Sequence, residues 1–326
     1  MSGGLDSTLA TKMILDQGID VIGLFLESPF GCKDDVELIA KHLGIRLITV
    51  QKGMDYVDLV RAPKYGYGKN MNPCIDCRIY MFKIAQQVME AEAADFIITG
   101  EVLGQRPMSQ RKEAMAIIDR DSQAEALILR PLSAKFFPPT PMEQSGWVDR
   151  EQLLDLSGRS RSEQLKWADR LDLKGYSAPA GGCLLTDANF SARLSTFFDR
   201  TATPTMAEVR LVRLGRHFDF PGGAHLVISR NEAESEAMWA VAKQEVTEGK
   251  MTFFRPNFSG PDAVLIGENP HDYYKEVVEL ITKFSNKALS SEQEIEVIHG
   301  NSSEILKAVF PYVSSQASQE ELPVIH

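Results

Sequence analysis

The chain has 326 residues, 44% of them hydrophobic and 25% charged, with a formal net charge of −10. These are ordinary values for a globular protein long enough to bury more than one core, and they exclude a disordered or low-complexity chain. The acidic balance argues against a general nucleic-acid binder. Most of the acidic excess follows residue 200, in runs such as Glu232-Ala-Glu234-Ser-Glu236, so a local basic face remains compatible with it. No apolar run reaches the length of a membrane span, and Asp6 interrupts what would be a leader, so a cytoplasmic enzyme is the expectation. Four cysteines are too few for a disulfide framework and point to metal or redox chemistry.

The chain opens on Ser2-Gly3-Gly4-Leu5-Asp6-Ser7 and runs straight into a helical pattern from Thr8 to Leu15. Two glycines let the backbone turn with positive φ and aim several N–H groups at one anion, and the helix N-terminus behind them adds its own. Ser2 and Ser7 supply hydroxyl donors, and Asp6 can hold a Mg²⁺ that bridges phosphate oxygens. No Gly-Lys-Ser/Thr follows, which excludes a Walker A loop. The plain alternative is a glycine turn with an Asp or Ser helix cap.

Beyond this helix the spacing predicts a strand over 19–26, a helix over 34–42 and a strand over 45–50. A helix over 78–92 and strands over 96–99 and 125–129 follow. Strands alternating with helices predict an α/β fold with a doubly wound parallel sheet. In such sheets functional groups gather at strand ends, which singles out Thr99-Gly100-Glu101 and Arg130. A proline-rich break spans 135–141, and short helices are predicted over 149–156 and 162–171, separated by Gly158-Arg159-Ser160-Arg161. Ala180–Asp187 reads as a tight turn entering another element. The predicted domains are 1–200, a small α+β module at 205–275 and a weakly ordered tail at 276–326. Within the module, strands are expected at 226–228 and 251–254 and a helix at 232–247.

Cys74-Ile75-Asp76-Cys77 opens the helix over 78–92, and its C-x-x-C spacing lets two sulfurs reach one metal at a helix N-terminus that favours thiolate. Cys183 follows Gly181-Gly182, which permit close backbone approach to a bulky ligand. A structural zinc site takes four ligands, and no fourth partner is apparent, Cys32 being solitary. Three thiolates suit a catalytic zinc or a [4Fe–4S] cluster with one open position. A Cys74/Cys77 redox pair and buried cysteines without a ligand are the alternatives. Asp76 is either a substrate-orienting group or a helix cap.

The opening hexapeptide resembles the PP-loop of the ATP pyrophosphatases, which cleave ATP between its α- and β-phosphates and carry AMP onto a carbonyl oxygen. The run Thr99-Gly100-Glu101-Val102-Leu103-Gly104-Gln105-Arg106-Pro107-Met108-Ser109-Gln110 is similar to a segment of the tRNA 4-thiouridine synthase (ThiI) family, and Leu129-Arg130-Pro131-Leu132 resembles that family's next strand end. A Cys-x-x-Cys with a distant third cysteine resembles the cluster-dependent tRNA thiolases. The resemblance implies an adenine nucleotide alpha hydrolase-like (HUP) fold. That family places a strand before the loop, and only Met1 precedes Ser2 here, so the sheet is expected without its first strand. The resemblance also implies ATP and Mg²⁺ at Ser2, Gly3, Gly4, Leu5, Asp6 and Ser7, with Gly100 and Gln105 at the nucleotide. A [4Fe–4S] cluster on Cys74, Cys77 and Cys183 is implied as well, with Asp6 and these cysteines catalytic. Its partners would be tRNA and a sulfur donor, sulfide or a cysteine desulfurase. Two regions found in members of the family, a tRNA-binding THUMP region and a rhodanese domain, have no counterpart in these residues. The stretch from Arg210 to Gly223, with Arg230-Asn231-Glu232, instead resembles the RNA-binding region of NFACT proteins. Its Arg210, Arg213, Arg216, His217 and Arg230 form a local basic cluster suited to phosphate, a solvated strand face with scattered salt bridges being the alternative. Gln105, Arg106 and Gln110 follow a strand end and are candidate contacts to nucleotide or tRNA phosphate; Arg159 and Arg161 are candidate tRNA-phosphate contacts, a plain solvated loop being the alternative. The activity implied is tRNA thiolation through an adenylated uracil carbonyl, 4-thiouridine first. A 2-thiouridine synthase acting at the anticodon and a non-catalytic RNA-binding or redox protein are the alternatives.

Overall fold

A computed structural model describes residues 1–31, 36–176, 183–285, 292–309 and 324–325. The chain divides into two compact units, Met1–Ala188 and Asn189–His326.

The first unit alternates helix and strand as the periodicity predicts. Its elements are α1 (Leu5–Leu15), β1 (Ile22–Glu27), α2 (Val36–Leu43), β2 (Arg46–Gln51), α3 (Met54–Arg61), α4 (Cys74–Ala91), β3 (Ile97–Ile98), α5 (Lys112–Ser122), β4 (Ile128–Leu129), α6 (Pro141–Gln144) and α7 (Ser162–Arg170), with short 3₁₀ turns between. Helix α1 is buried on most sides: Leu9, Ala10 and Met13 pack on Val102, Leu132 and Leu154, while Ile14 packs on Leu129, Ala134 and Leu153. Fully burying a side chain such as Leu9 contributes about 1.5–3 kcal/mol, so α1 is fixed by its packing on the strand ends. Ile75 and Phe82 of α4 meet Ala114 and Ile118 of α5 over Ile128.

The expected single doubly wound sheet is not what the described residues form. Strands β1 and β2 pair in parallel, Ile22 opposite Arg46, and β3 and β4 pair in parallel, Ile97 opposite Ile128, as two separate ladders. The opening residues touch both. The Met1 amine donates to Leu24 O on β1, and a Cβ built on Gly100, just past β3, would lie 2.5 Å from the Asp6 carbonyl carbon. The opening residues therefore contact β1 through Met1 and the end of β3 through Asp6 and Ser7. Residues 149–156, expected to be helical, contain only a 3₁₀ turn at Arg150–Gln152. Helices α3 and α5 were not read from the sequence.

The second unit contains α8 (Ala188–Arg200), α9 (Met206–Leu211), β5 (Arg216–Asp219), β6 (His225–Ile228), α10 (Glu232–Thr247), β7 (Met251–Pro256), β8 (Ala263–Ile266), α11 (Tyr274–Lys283), β9 (Glu292–His299), β10 (Ser302–Val309) and β11 (Val324–Ile325). Its sheet runs β10-β9-β7-β8-β6-β5-β11, antiparallel throughout. Alternate strand residues go to opposite faces. Leu226, Ile228, Phe254 and Leu265 face Val277, Leu280 and Ile281 of α11, whereas Val227, Phe253 and Val264 face Met238, Ala242 and Val246 of α10. Because both faces are covered, β6 and β8 are apolar without alternation.

Two expected boundaries move. Helix α8 belongs with the second unit: Arg193 donates to Val212 O, so the division falls at Ala188 in place of 201–204. The expected weakly ordered tail holds α11 and a β9–β10 hairpin whose Phe253–Ile298 pairing extends the sheet. Strand β9 alternates charged and apolar residues (Glu294, Ile295, Glu296, Val297), a half-buried pattern that overall polarity concealed. Among the described residues no helix is long and apolar enough to cross a membrane.

Candidate active site

The Ser2–Ser7 turn has the geometry of an anion cradle. Gly3 sits at φ +75°, a conformation that costs glycine nothing. Gly4 caps α1 with no side-chain cap bond, so the first N–H groups of α1 have no side-chain acceptor. The Ser2 and Ser7 hydroxyls lie 3.2 Å apart, Ser7 Oγ donates to Gly4 O at 3.0 Å, and Thr8 Oγ1 donates to the same carbonyl at 3.0 Å. Leu5 is different: its side chain is buried in the core, so only its backbone belongs to the turn.

Asp6 is held from one side. Its Oδ2 accepts from Gln105 Nε2 at 2.7 Å, and Arg161 approaches the same oxygen at 3.8 Å. Gln164 Nε2 donates to Gln105 Oε1 at 2.9 Å and so orients the amide that orients Asp6. Asp6 Oδ1 is buried with no hydrogen-bond partner among the described residues. A buried carboxylate oxygen left bare is costly, and an acceptor kept in that state fits a Mg²⁺. Gly100 supports the turn by close approach, leaving no room for a side chain against Asp6 and Ser7.

Beside the turn is a buried ion-pair chain. Glu101 accepts from Arg130 Nε at 3.0 Å and faces Arg78 Nε at 3.5 Å. Arg130 also grips Asp119 through both terminal nitrogens, at 2.9 and 2.6 Å. Desolvation pushes the Asp119 carboxyl up, with Arg130 opposing it. These charges answer one another and brace the strand ends that carry the loop Leu103–Gln110.

That loop is a short closed circuit. Gly104 N–H donates to Gln110 O at 2.6 Å, Gln110 N–H to Arg106 O at 3.1 Å, and Arg106 N–H to Gln110 Oε1 at 3.0 Å. Its base is tied down by Leu103 N–H to Ser133 Oγ at 3.0 Å and Gly158 N–H to Leu103 O at 2.7 Å. One side touches Asp6 through Gln105; on the other, Cys74 Sγ donates to Ser109 Oγ at 3.4 Å.

The thiols follow. Cys74, Cys77, Arg78 and Met81 fall on one face of α4 at i, i+3, i+4 and i+7, the first two in its opening turn. Cys77 Sγ receives Lys52 Nζ at 3.6 Å, lies 3.2 Å from Tyr56 Oη and meets Met81 Sδ at 3.9 Å. Lys52, just past β2 and buried, stacks its ammonium 4.0 Å over the Tyr56 ring. Burial, then the Cys77 charge, raises the Tyr56 hydroxyl well above its usual range. Burial raises the Cys183 thiol, and the charges at Cys77 and Cys74 add to the rise while Lys52 opposes it. Among the described residues no three Cys, His, Asp or Glu side chains are already grouped as a metal site. In donor chemistry the set fits an iron–sulfur cluster: sulfur ligands only, with a buried cation beside them to balance its charge. Gly181 and Gly182, and Cys32, lie outside the described residues.

Asp76 is structural. It is buried and accepts the Lys64 and Tyr65 N–H groups, both at 3.0 Å. The sequence reading assigned no site role to Lys52, Tyr56, Arg78, Ser109 or Gln164. Two signals for them exist: Lys52 follows a strand end, and Arg78 lies one helical turn beyond Cys74.

Comparison with known proteins now separates the two units. Residues 1–135 match the family described as thiamine biosynthesis protein (ThiI), and residues 215–320 match the NFACT protein RNA binding domain. The chain carries a ThiI domain and an NFACT RNA-binding domain. A tRNA-specific 2-thiouridylase from Listeria monocytogenes (serovar 1/2a) is 26% identical over 212 residues, 60% of this chain and 54% of that protein. One from Clostridium acetobutylicum is 32% identical over 123 residues, 31% of this chain and 34% of its own. The chain thus spans about half the length of the first of these relatives and about a third of the second. An NMN synthetase structure from Francisella tularensis, 14% identical, overlaps 56% of this chain and 87% of its own with a TM-score of 0.26, too low to carry an argument.

In the NFACT domain the fold disperses the expected basic cluster. His217 is buried, Arg230 is paired with Glu234 at 2.5 Å, and Arg216 stacks over Phe284 at 4.8 Å. Arg210 and Arg213 also have partners.

Proposed function

We propose that this protein is a PP-loop tRNA sulfurtransferase that adenylates a uracil carbonyl with ATP and replaces the oxygen by sulfur. One observation carries this reading: the loop Leu103–Gln110 touches Asp6 through Gln105 and Cys74 through Ser109, so nucleotide and sulfur chemistry share one wall. The ThiI domain and the 2-thiouridylase relatives support it.

In this scheme the Ser2–Ser7 turn holds the β- and γ-phosphates through backbone N–H groups and the two serine hydroxyls. Asp6, oriented by Gln105, holds Mg²⁺ on its bare oxygen, and these groups stabilise the pyrophosphate as the α–β bond breaks. The uracil oxygen attacks the α-phosphorus, pyrophosphate leaves, and the base proton is released. Sulfur as hydrosulfide then adds to the activated carbon, and the original oxygen departs within AMP. Cys74, Cys77 and Cys183 would hold a [4Fe–4S] cluster, which when bound supplies a site for sulfide. Lys52 and Tyr56 donate toward Cys77 Sγ and keep negative charge on sulfur in place. The NFACT domain would contribute RNA affinity.

The ThiI domain favours 4-thiouridine as product, and the 2-thiouridylase relatives favour 2-thiouridine at the anticodon. Nucleoside mass spectrometry of tRNA from a deletion strain separates them. Loss of 4-thiouridine alone supports the first reading, and loss of 2-thiouridine alone replaces it with the second. Intact levels of both would remove the thiolation reading. For the cluster, anaerobic reconstitution with iron and sulfide is expected to give a broad visible absorbance that a Cys183→Ala variant loses. An identical spectrum in that variant would exclude Cys183 as a ligand.

A further inference from the structure

Arg106 stands at the crest of the loop Leu103–Gln110, between the residue that touches Asp6 and the residue that touches Cys74. Its backbone is fixed on both sides by Gln110, and Pro107 behind it restricts the chain further. Part of the residue is exposed and part is covered, and among the described residues its guanidinium has no ion-pair or hydrogen-bond partner. The other arginines here are answered: Arg130 by Glu101 and Asp119, Arg78 by Glu101 and Arg161 by Asp6. Desolvation, then the Arg78 charge, lowers the pKa of Arg106, with Arg161 adding to the fall and Cys74 and Asp6 opposing it. Three cations therefore crowd one spot of an acidic chain, with two carboxylates, Asp6 and Glu101, that already serve other partners. Such a locus takes a small polyanion and presents it with a planar fork of donors.

We propose that Arg106 binds the α-phosphate of the adenylated substrate, a phosphoester flanked by the pyrophosphate cradle on one side and the thiols on the other. This rests on the adenylation reading above and adds the residue that keeps the AMP group in place between its two steps. With the phosphate held there, the activated carbon faces Cys74 and its neighbours while pyrophosphate departs toward Ser2–Ser7. The fork also balances the charge that returns to the phosphate when AMP leaves.

The test is calorimetric titration of the full chain with AMP and with inorganic pyrophosphate as separate probes, for wild type, Arg106→Ala and Arg106→Lys. Arg106→Ala is expected to weaken AMP binding at least about tenfold and to leave pyrophosphate binding within about twofold. Lysine restores charge without the fork and falls between. An unchanged thermal midpoint shows that the variant is folded. Unchanged AMP affinity in Arg106→Ala would overturn the proposal, as would equal losses for both probes, which put Arg106 on the pyrophosphate side. A loss confined to tRNA binding would overturn it too, making Arg106 a nucleic-acid contact. If the wild-type chain binds neither probe, the nucleotide reading itself fails, an outcome distinct from any effect of the variants.

Discussion

Two polar clusters of this molecule contrast in how their charges are answered. In the first unit, among the described residues, one buried oxygen of Asp6 and the guanidinium of Arg106 have no partner. In the second unit, His217, His225, Asp219 and Arg200 satisfy one another. His217 Nε2 lies 2.8 Å from Leu214 O, a carbonyl that can only accept, so this nitrogen carries the proton and Nδ1 is left to accept from His225 Nε2, also 2.8 Å away. With its proton on Nε2, neutral His225 accepts at Nδ1 from Arg200 at 2.7 Å, and Arg200 also donates to Asp219 at 2.5 Å; the 2.6 Å approach of Nδ1 to Asp219 becomes a hydrogen bond when His225 takes a second proton. Both clusters are built from buried or crowded ionisable groups, which alone do not distinguish function from structure. Partners are what differ: among the described residues Asp6 Oδ1 and the Arg106 guanidinium have none, whereas His217, His225, Asp219 and Arg200 each contact another member of their cluster.

The largest expected effect comes from filling the closest backbone approach. In Gly100→Ala a methyl group must occupy space 2.5–2.6 Å from Asp6 and Ser7 backbone atoms. The turn must shift, and AMP formation is expected to fall by about a hundredfold or more, because displacing reacting groups by about 1 Å costs that much. Overpacking should also lower stability by about 1–3 kcal/mol. Near-normal AMP release from this variant, measured by single-turnover assay, would mean the turn does not cradle pyrophosphate.

A smaller effect is expected at the self-satisfied cluster, and it should appear in stability. Burial, then the His225 charge, holds His217 well below the usual histidine range, and burial lowers His225 against the pull of Asp219. The unfolded chain therefore takes up protons first as pH falls below about 6.5, and stability declines by up to about 1.4 kcal/mol per pH unit for each histidine. Asp219 is held below its usual value, chiefly by the hydrogen bond that a protonated His225 donates to it, so its contribution is lost in the same direction at lower pH. Denaturant titrations of the full chain between pH 7 and pH 5 should show this slope, and His217→Gln should flatten it by about half. A slope that is absent in wild type would contradict the buried neutral pair.

The sequence carried the first cluster's local parts and missed its distant ones. Ser2–Ser7 and Cys74-x-x-Cys77 are contiguous, and a turn or a helix start expresses its geometry within a few residues. Lys52 and Tyr56 reach Cys77 across 25 and 21 positions, and Gln164 reaches Gln105 across 59, distances that only the packed fold closes. The basic stretch from Arg210 to Arg230 shows the reverse. Its residues are neighbours in sequence, yet His217 is buried in the middle of β5 while Arg216 at its end keeps partial exposure, and an i,i+4 pairing gives Arg230 to Glu234. The strand-helix rhythm of the first unit was legible from periodicity, but its two-ladder arrangement depends on where Ser2–Ser7 lies between strands. The second unit's sheet was half hidden because β9 and β10 are polar on one face.

The central claim is that the Ser2–Ser7 turn and the thiols work as one ATP-dependent thiolation site. Its most direct test is the reaction of the full chain, reconstituted anaerobically with iron and sulfide, with tRNA, ATP and Mg²⁺, counting AMP and thiouridine together. The account predicts equal amounts of AMP and thiouridine, both falling about a hundredfold or more in Asp6→Asn, where the electrostatic hold on the leaving pyrophosphate is lost. Release of ADP in place of AMP, or AMP formation with no sulfur entering tRNA, would contradict it.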